Sequence, residues 1–217
     1  MPDARANILG RLRAVAPSAP PASDFSVVER KTWMPAARLE RLRAAMAAVH
    51  TEFLDATADG WPETVRAFLV AQGAKNVALG PATPAGRLLA EACTRAGAPE
   101  VVPYDRPVEE WKSELFDGID AGFTSVRSAI ADTGSLVLWP SPEEPRLLSL
   151  VPPLHVALLS ARAIRDTLLG VMREEGWAKS LPPNALLVSG PSKTADIEQT
   201  LAYGVHGPKR LVVVVVP

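Results

Sequence analysis

Ser189, Gly190, Pro191, Ser192, Lys193 and Thr194 bring hydroxyls, a cation and two chain-breaking residues together in consecutive positions. The apolar run at 185–188 before them is long enough for a buried strand and too short for a helix. Gly190 and Pro191 break that run. Ser192 or Thr194 can then cap a helix whose first turn carries Asp196 and Glu198, acids suited to the positive end of a helix dipole. A strand that stops at such a loop and feeds a helix points backbone N–H groups at one spot, and Lys193 adds a cation there. The chemistry would be anion binding, for phosphate or carboxylate. An ordinary capped turn with a solvated lysine uses the same residues. A nucleotide-binding P-loop does not fit. It needs glycine directly before the Lys-Thr pair and another five residues earlier, and those places hold Ser192 and Leu187.

A second group is Asp132-Thr133-Gly134-Ser135, which puts a carboxylate, two hydroxyls and a glycine in a tight turn between two β-like runs. A plain hairpin turn in which Asp132 bonds its own backbone accounts for it as well as a site does. Aspartic proteases carry D-T-G-[ST] too, but they need two copies in all-β domains, and the pattern here alternates α and β. Two histidines complete the set. His206 lies between Gly204 and Gly207-Pro208, in a turn that would hold the ring rigidly and suit a carbonyl-polarising or proton-relaying role. His155 opens an apolar run, so it sits at a strand end, either as a hydrogen-bonded structural residue or as part of a site. If these groups converge, Lys193 and a helix N-terminus hold an anion. Asp132 then serves as general base or orienter, His206 as its partner, with Thr133, Gly134, Ser135, His155 and Gly207 around the ligand.

The elements that must position them follow from periodicity. Residues 1–16 read as a short helix, and the three prolines at 16–21 as a linker. From Pro35, Leu39, Leu42, Met46, Val49 and Phe53 recur at spacings of three and four, an apolar stripe that packs on the domain body or docks a partner chain. Pro62 opens a helix that Gly73 closes, with Val65, Phe68 and Leu69 inward. A strand is expected at 76–79. Next comes a helix capped by Thr83 with Pro84 at its first position and Gly97 past its end, on which Cys93 packs into the core. Another strand follows at 101–103. Strands separated by helices imply a parallel sheet with right-handed crossovers. Strands are expected at 147–150 and 155–159, then a helix capped by Ser160 through Ile164, Leu168, Val171 and Met172 to Gly176. Residues 182–184 form a loop. The valine run at 211–216 is too apolar for an exposed strand and should be central or well covered, hidden on both faces. In an open sheet of this kind ligands gather beyond the carboxyl ends of the strands, which is where the 189–194 loop is expected.

Composition narrows the function. A chain of 217 residues with 47% hydrophobic and 22% charged residues can bury a sizeable core. The net charge of -1 gives no electrostatic reason to expect nucleic acid. No run is long enough for a membrane span and the first 20 residues lack a signal-peptide core, so a cytoplasmic protein is expected. Cys93 is the sole cysteine, so an internal disulfide is impossible and the chain alone cannot supply the cysteines of an iron–sulfur cluster or a structural zinc site. His50, His155 and His206 are scattered, and no metal site is expected.

Four segments, A-I-A-D-T-G-S-L-V-L (129–138), L-V-P-P-L-H-V-A (150–157), S-G-P-S-K-T-A-D-I-E (189–198) and G-V-H-G-P (204–208), together resemble the LUD domain. Within that family the segments resemble the lactate-utilisation protein C group. The resemblance covers about residues 75–216. The family usually shows Glu or Asp before Thr-Gly-Thr. Here Asp132 has the shorter reach of the two acids, and Ser135 keeps the hydroxyl. The resemblance implies a three-layer, mostly parallel α/β sheet of the kind used by glucosamine-6-phosphate deaminase, ribose-5-phosphate isomerase, CoA-transferases and 5-formyltetrahydrofolate cyclo-ligase. A LUD domain at 61–217 would follow an N-terminal helical extension at 1–60. It also implies a part in bacterial oxidation of L-lactate to pyruvate beside iron–sulfur partner proteins, with a small anion bound at 189–194. The alternative is an isomerase, transferase or cyclo-ligase acting on a phosphate or CoA ligand outside lactate metabolism. Neither reading identifies a cofactor, and the catalytic status of the chain stays open between a catalytic and a non-catalytic subunit.

Overall fold

The computed structural model of the protein describes residues 3–15, 23–195, 201–204 and 206–217. The chain divides into two compact units, Met1–Arg30 and Lys31–Pro217. The first unit contains α1 (Ala4–Val15) and the single turn α2 (Ser26–Glu29), neither with a buried residue. The linker expected at 16–21 lies outside the described residues. The second unit runs α3 (Pro35–Ala47), β1 (Glu52–Asp55), α4 (Trp61–Ala71), β2 (Asn76–Leu79), α5 (Pro84–Ala92) and β3 (Glu100–Pro103). It continues with β4 (Ala121–Ser125), β5 (Ser128–Ile130), β6 (Ser135–Leu138), α6 (Leu147–Leu150), β7 (Leu154–Ser160), β8 (Ile164–Arg165) and α7 (Leu168–Glu174). The last elements are β9 (Leu186–Val188), β10 (Lys193–Ala195), β11 (Leu201–Tyr203) and β12 (Arg210–Val216).

The frame is a six-stranded sheet in the order β1-β12-β7-β4-β2-β3, with every neighbouring pair parallel. The α/β alternation in the sequence requires this arrangement. A parallel pair needs a crossover, and α4 and α5 supply crossovers that also cover one face. The valine strand is interior, between the edge strand β1 and β7, and it is buried on both faces. Val212 and Val214 pack with Trp61, Val65 and Leu69 of α4, while Leu211, Val213 and Val215 pack with Leu42 and Met46 of α3. Burying each such side chain contributes about 1.5–3 kcal/mol, so an all-apolar sequence is what a doubly covered strand calls for. The α3 stripe therefore packs on the domain body.

A smaller sheet lies on the α3 side, in the order β8-β5-β6-β9, with β5-β6 and β6-β9 antiparallel. Its Ala129, Ala131 and Leu136 share the core that holds Leu42, Met46, Ala157 and Val213. The hairpin between β5 and β6 turns through Gly134 at φ 64°, a left-handed conformation that glycine adopts without steric cost. A Cβ on Gly134 would also stand 2.5 Å from the Ala45 Cβ, so the turn is pressed against α3.

Four expected elements take other forms. The apolar stripe from Pro35 is helical only as far as Ala47, and Phe53 lies in β1, paired with Val213. Residues 147–150 form the helical turn α6 rather than a strand. Leu148 N donates to Pro145 O, Ser149 Oγ donates to Arg146 O, and the strand positions beside β4 belong to β2 and β7. Ser160 caps only a short 3-10 turn at Ala161–Ala163. Ile164 then pairs in β8 with Ala129, and the true helix α7 starts two residues past β8, with Gly170 N donating to Thr167 Oγ1. The helix expected after Ser192 does not begin there, because Lys193–Ala195 pairs antiparallel with Leu201–Tyr203. The Ser192 backbone is committed across the chain rather than along it. Its N–H donates to Pro208 O, and its C=O accepts from Gly204 N, each at 2.9 Å. Asp196 and Glu198 lie outside the described residues.

Candidate functional site

The β9–β10 loop does not stand at a carboxyl end of the parallel sheet, as its sequence suggested. β9 belongs to the smaller, four-stranded mixed sheet, where it pairs antiparallel with β6, and the loop faces the start of β7 and β12. The residues directly after it, Lys193–Ala195, form a strand, so no helix N-terminus stands at the end of this loop. The loop instead closes a cavity of about 190 Å³ lined by Ser189, Gly190, Ser192, His206, Gly207 and His155, with Ser149, Leu150, Leu187, Val188, Pro208 and Leu211 completing the wall. Pro191 is half-buried beside these residues, whereas Lys193 has an exposed side chain and does not line the cavity. Thr194 stands in β10.

His155 is the most constrained polar group of this cavity. It is 1% exposed and sits opposite Leu211 and Gly122 in the sheet register. Its Nε2 is 2.8 Å from Thr124 Oγ1, and its Nδ1 is buried with no hydrogen-bond partner among the described residues. Burial disfavours the imidazolium and lowers the pKa to about 4, so the ring is neutral at ordinary pH. A neutral ring bonded at one nitrogen keeps the other as a donor or an acceptor, according to tautomer, and leaving it unpaired costs on the order of 1–3 kcal/mol. A ligand that reaches this nitrogen recovers that cost. His206 is exposed and also lines a neighbouring cavity of about 460 Å³ with Phe116, Leu150, Val151, Gly204 and Gly207.

The 132–135 turn reaches the cavity through its hydroxyls and not its carboxylate. Thr133 Oγ1 lies 2.8 Å from Ser135 Oγ, which lies 2.8 Å from Ser189 Oγ in the cavity wall. Asp132 is engaged elsewhere. Both its oxygens accept from Lys31 Nζ, at 2.7 and 3.0 Å, and its N–H donates to Asp166 O. Asp166 in turn takes a two-pronged bond from Arg38 and one from Trp33 N. This cluster fastens the hairpin and β8 to the start of α3. The expected residues thus separate: Ser135, His155, Ser189, Gly190, Ser192, His206 and Gly207 come together, and Asp132 and Lys193 do not join them.

Sequence reasoning missed a further cavity, of about 370 Å³ and thus larger than the 190 Å³ cavity that His155 lines. It lies at the carboxyl ends of β2 and β4, the place where parallel sheets bind ligands. Thr83, Thr124, Ser125, Arg127, Trp139, Glu144 and Arg146 line it, with Ser149 shared between the two cavities. Thr124 lines the larger cavity and is hydrogen-bonded to His155 in the wall of the smaller one, so this pair is a polar partition between them. Glu144 is held by Ser125, whose N–H and Oγ each donate to one carboxylate oxygen. Burial raises its pKa, partly offset by those two bonds. A signal was available in G-P-A-T-P-A-G at 80–86, a glycine-flanked link from a parallel strand to a helix.

Comparison with known proteins places the chain. The LUD domain model matches residues 39–216. An uncharacterised protein of Neisseria meningitidis serogroup B is 39% identical over 98% of this chain and 93% of its own length. Lactate utilization protein C of an Exiguobacterium species is 28% identical over 82% of this chain and 77% of its own. The crystal structure of a DUF162 family protein from Deinococcus radiodurans is similar with a TM-score of 0.64 and 25% identity, covering 86% of this chain and all of that one.

Proposed function

Since the chain belongs to the LUD domain family, we propose that it is a cytoplasmic component of a lactate-utilisation system and that its smaller cavity holds a short 2-hydroxy or 2-keto acid. The observation that carries the reading is the buried, neutral His155 with one unpaired nitrogen in the wall of a 190 Å³ cavity bordered by Ser189 and Ser192. A carboxylate on a short acid finds hydroxyl donors there, and its hydroxyl or carbonyl oxygen finds an imidazole nitrogen. Lys193, exposed just beyond Ser192, adds attraction for an anion from outside the wall. Ser135 orients Ser189, and Thr133 orients Ser135, so the D-T-G-S turn acts as a positioning device for the hydroxyl that meets the ligand.

Oxidation of such an acid releases two electrons, and this chain's single cysteine cannot hold an iron–sulfur cluster. We assign the electron carrier to iron–sulfur partner proteins and give this chain the binding and orientation of the small anion. Lactate-dependent reduction of an artificial acceptor by the partner proteins, with and without this chain, tests the assignment. The expected result is a rate that falls when the chain is omitted and is not restored by Ser189→Ala. Full activity in its absence would remove it from the reaction.

A further inference from the structure

We propose that the larger cavity is a second ligand site, for an organic anion with an apolar or aromatic body. It stands apart from the smaller cavity in both size and chemistry. Arg127 and Arg146 both line it, while among the described residues no arginine or lysine lines the smaller one. The Arg127 Cζ stands over the Trp139 ring, 4.4 Å from its centroid, and Nε is 3.3 Å from a Glu175 oxygen. It is thus held in one orientation at the cavity edge with donors to spare, since a guanidinium carries five N–H groups. Arg146 is exposed and has no carboxylate partner among the described residues. An unpaired arginine beside a cavity is suited to a carboxylate or phosphate, which its fork can meet with two parallel bonds.

The remaining wall supplies the other half of the recognition. Trp139, Pro84 and Pro145 give an apolar surface, and Thr83 and Ser141 place hydroxyls among them. A volume of about 370 Å³ falls within the range for small-molecule and cofactor sites, about 300–1,000 Å³, and exceeds what a three-carbon acid needs. Glu144 is committed within the wall: Ser125 N and Oγ donate to its two oxygens, and burial raises its pKa, partly offset by those two bonds. It serves to hold the Ser125 end of β4 against the segment that carries Arg146.

Phenyl phosphate, which joins an aromatic body to an anion, is the probe, with inorganic phosphate and benzyl alcohol as its two halves. Isothermal titration of the full chain should show one saturable site for phenyl phosphate, with each half binding at least about tenfold more weakly. Arg146→Ala should weaken phenyl phosphate about tenfold, the loss of one charge-assisted pair, and Arg146→Lys should recover only part of it. Arg146 is exposed, so neither variant threatens the fold. Ser189→Ala should leave the affinity unchanged, which separates this site from the smaller cavity. Absence of saturable binding at millimolar phenyl phosphate would overturn the proposal. So would equal affinity in Arg146→Ala, or a loss caused by Ser189→Ala instead.

Discussion

The two cavities share a wall and differ in almost everything else. The smaller is bounded by hydroxyls and two imidazoles and closed by the β9–β10 loop, near the amino ends of β7 and β12. The larger carries two arginines and a tryptophan at the carboxyl ends of β2 and β4. Their partition is a buried Thr124–His155 pair whose imidazole burial keeps neutral. The contrast teaches that one sheet can serve two recognition problems on one face. Close hydrogen-bond donors suit a small acid, and a broad surface with exposed guanidinium groups suits a larger anion.

Acid attacks the partition first. In the unfolded chain His155 takes a proton below about pH 6.5, whereas in the fold burial delays this to about pH 4. The unfolded state therefore binds more protons within that window. The neutral ring's contribution is fully present above about pH 6.5 and is lost as pH falls toward 4. The expected loss is roughly 3 kcal/mol, read as a falling urea midpoint. His155→Gln should flatten that part of the profile, and an unchanged slope would mean that His155 is not the group involved.

Gly80→Ala should strike the larger cavity alone. A Cβ there would stand 2.0 Å from the carbonyl oxygen of Glu143, next to Glu144 in the cavity wall. Displacing that backbone should cost about 1–3 kcal/mol of stability and weaken phenyl phosphate, with binding of short acids intact. Ser189→Ala is the reciprocal variant. It removes the end of the Thr133–Ser135–Ser189 hydroxyl chain and should weaken a short acid by about 1 kcal/mol while sparing the larger cavity. The smallest effect is expected at Cys93, on the far side of the sheet beside α4 and α5. Burial raises its pKa, so iodoacetamide should modify the native thiol more slowly than the unfolded one, and ligands for either cavity should leave that rate unchanged.

Most of the parallel frame was legible because burial writes itself into sequence. The valine run of β12, the Thr83-Pro84 start of α5 and the apolar stripe of α3 as far as Met46 each have one physical solution, and the fold adopts it, whereas Phe53, which continues the helical spacing, belongs to β1. Short apolar runs were the weak point. Leu147–Leu150 has the composition of a strand, but local hydrogen bonds to Pro145 and Arg146 make it a helical turn. The region after Ser192 has acids suited to a helix start, yet the Ser192 backbone is spent on Pro208 and Gly204. Of the site, the histidines and the serines of two motifs could be named because polar groups beside glycines and prolines are conspicuous. Their grouping could not. Asp132 is drawn away by Lys31, more than a hundred positions earlier, and the larger cavity is assembled from single residues on separate strand ends, which no local spacing records.

The most direct test of the small-acid site is isothermal titration of L-lactate and of pyruvate into the wild-type chain, His155→Gln and Ser189→Ala. One saturable site for at least one of the acids, weakened about fivefold or more in either variant, is the predicted result. An absence of binding by both acids, or identical affinities in all three proteins, would contradict it.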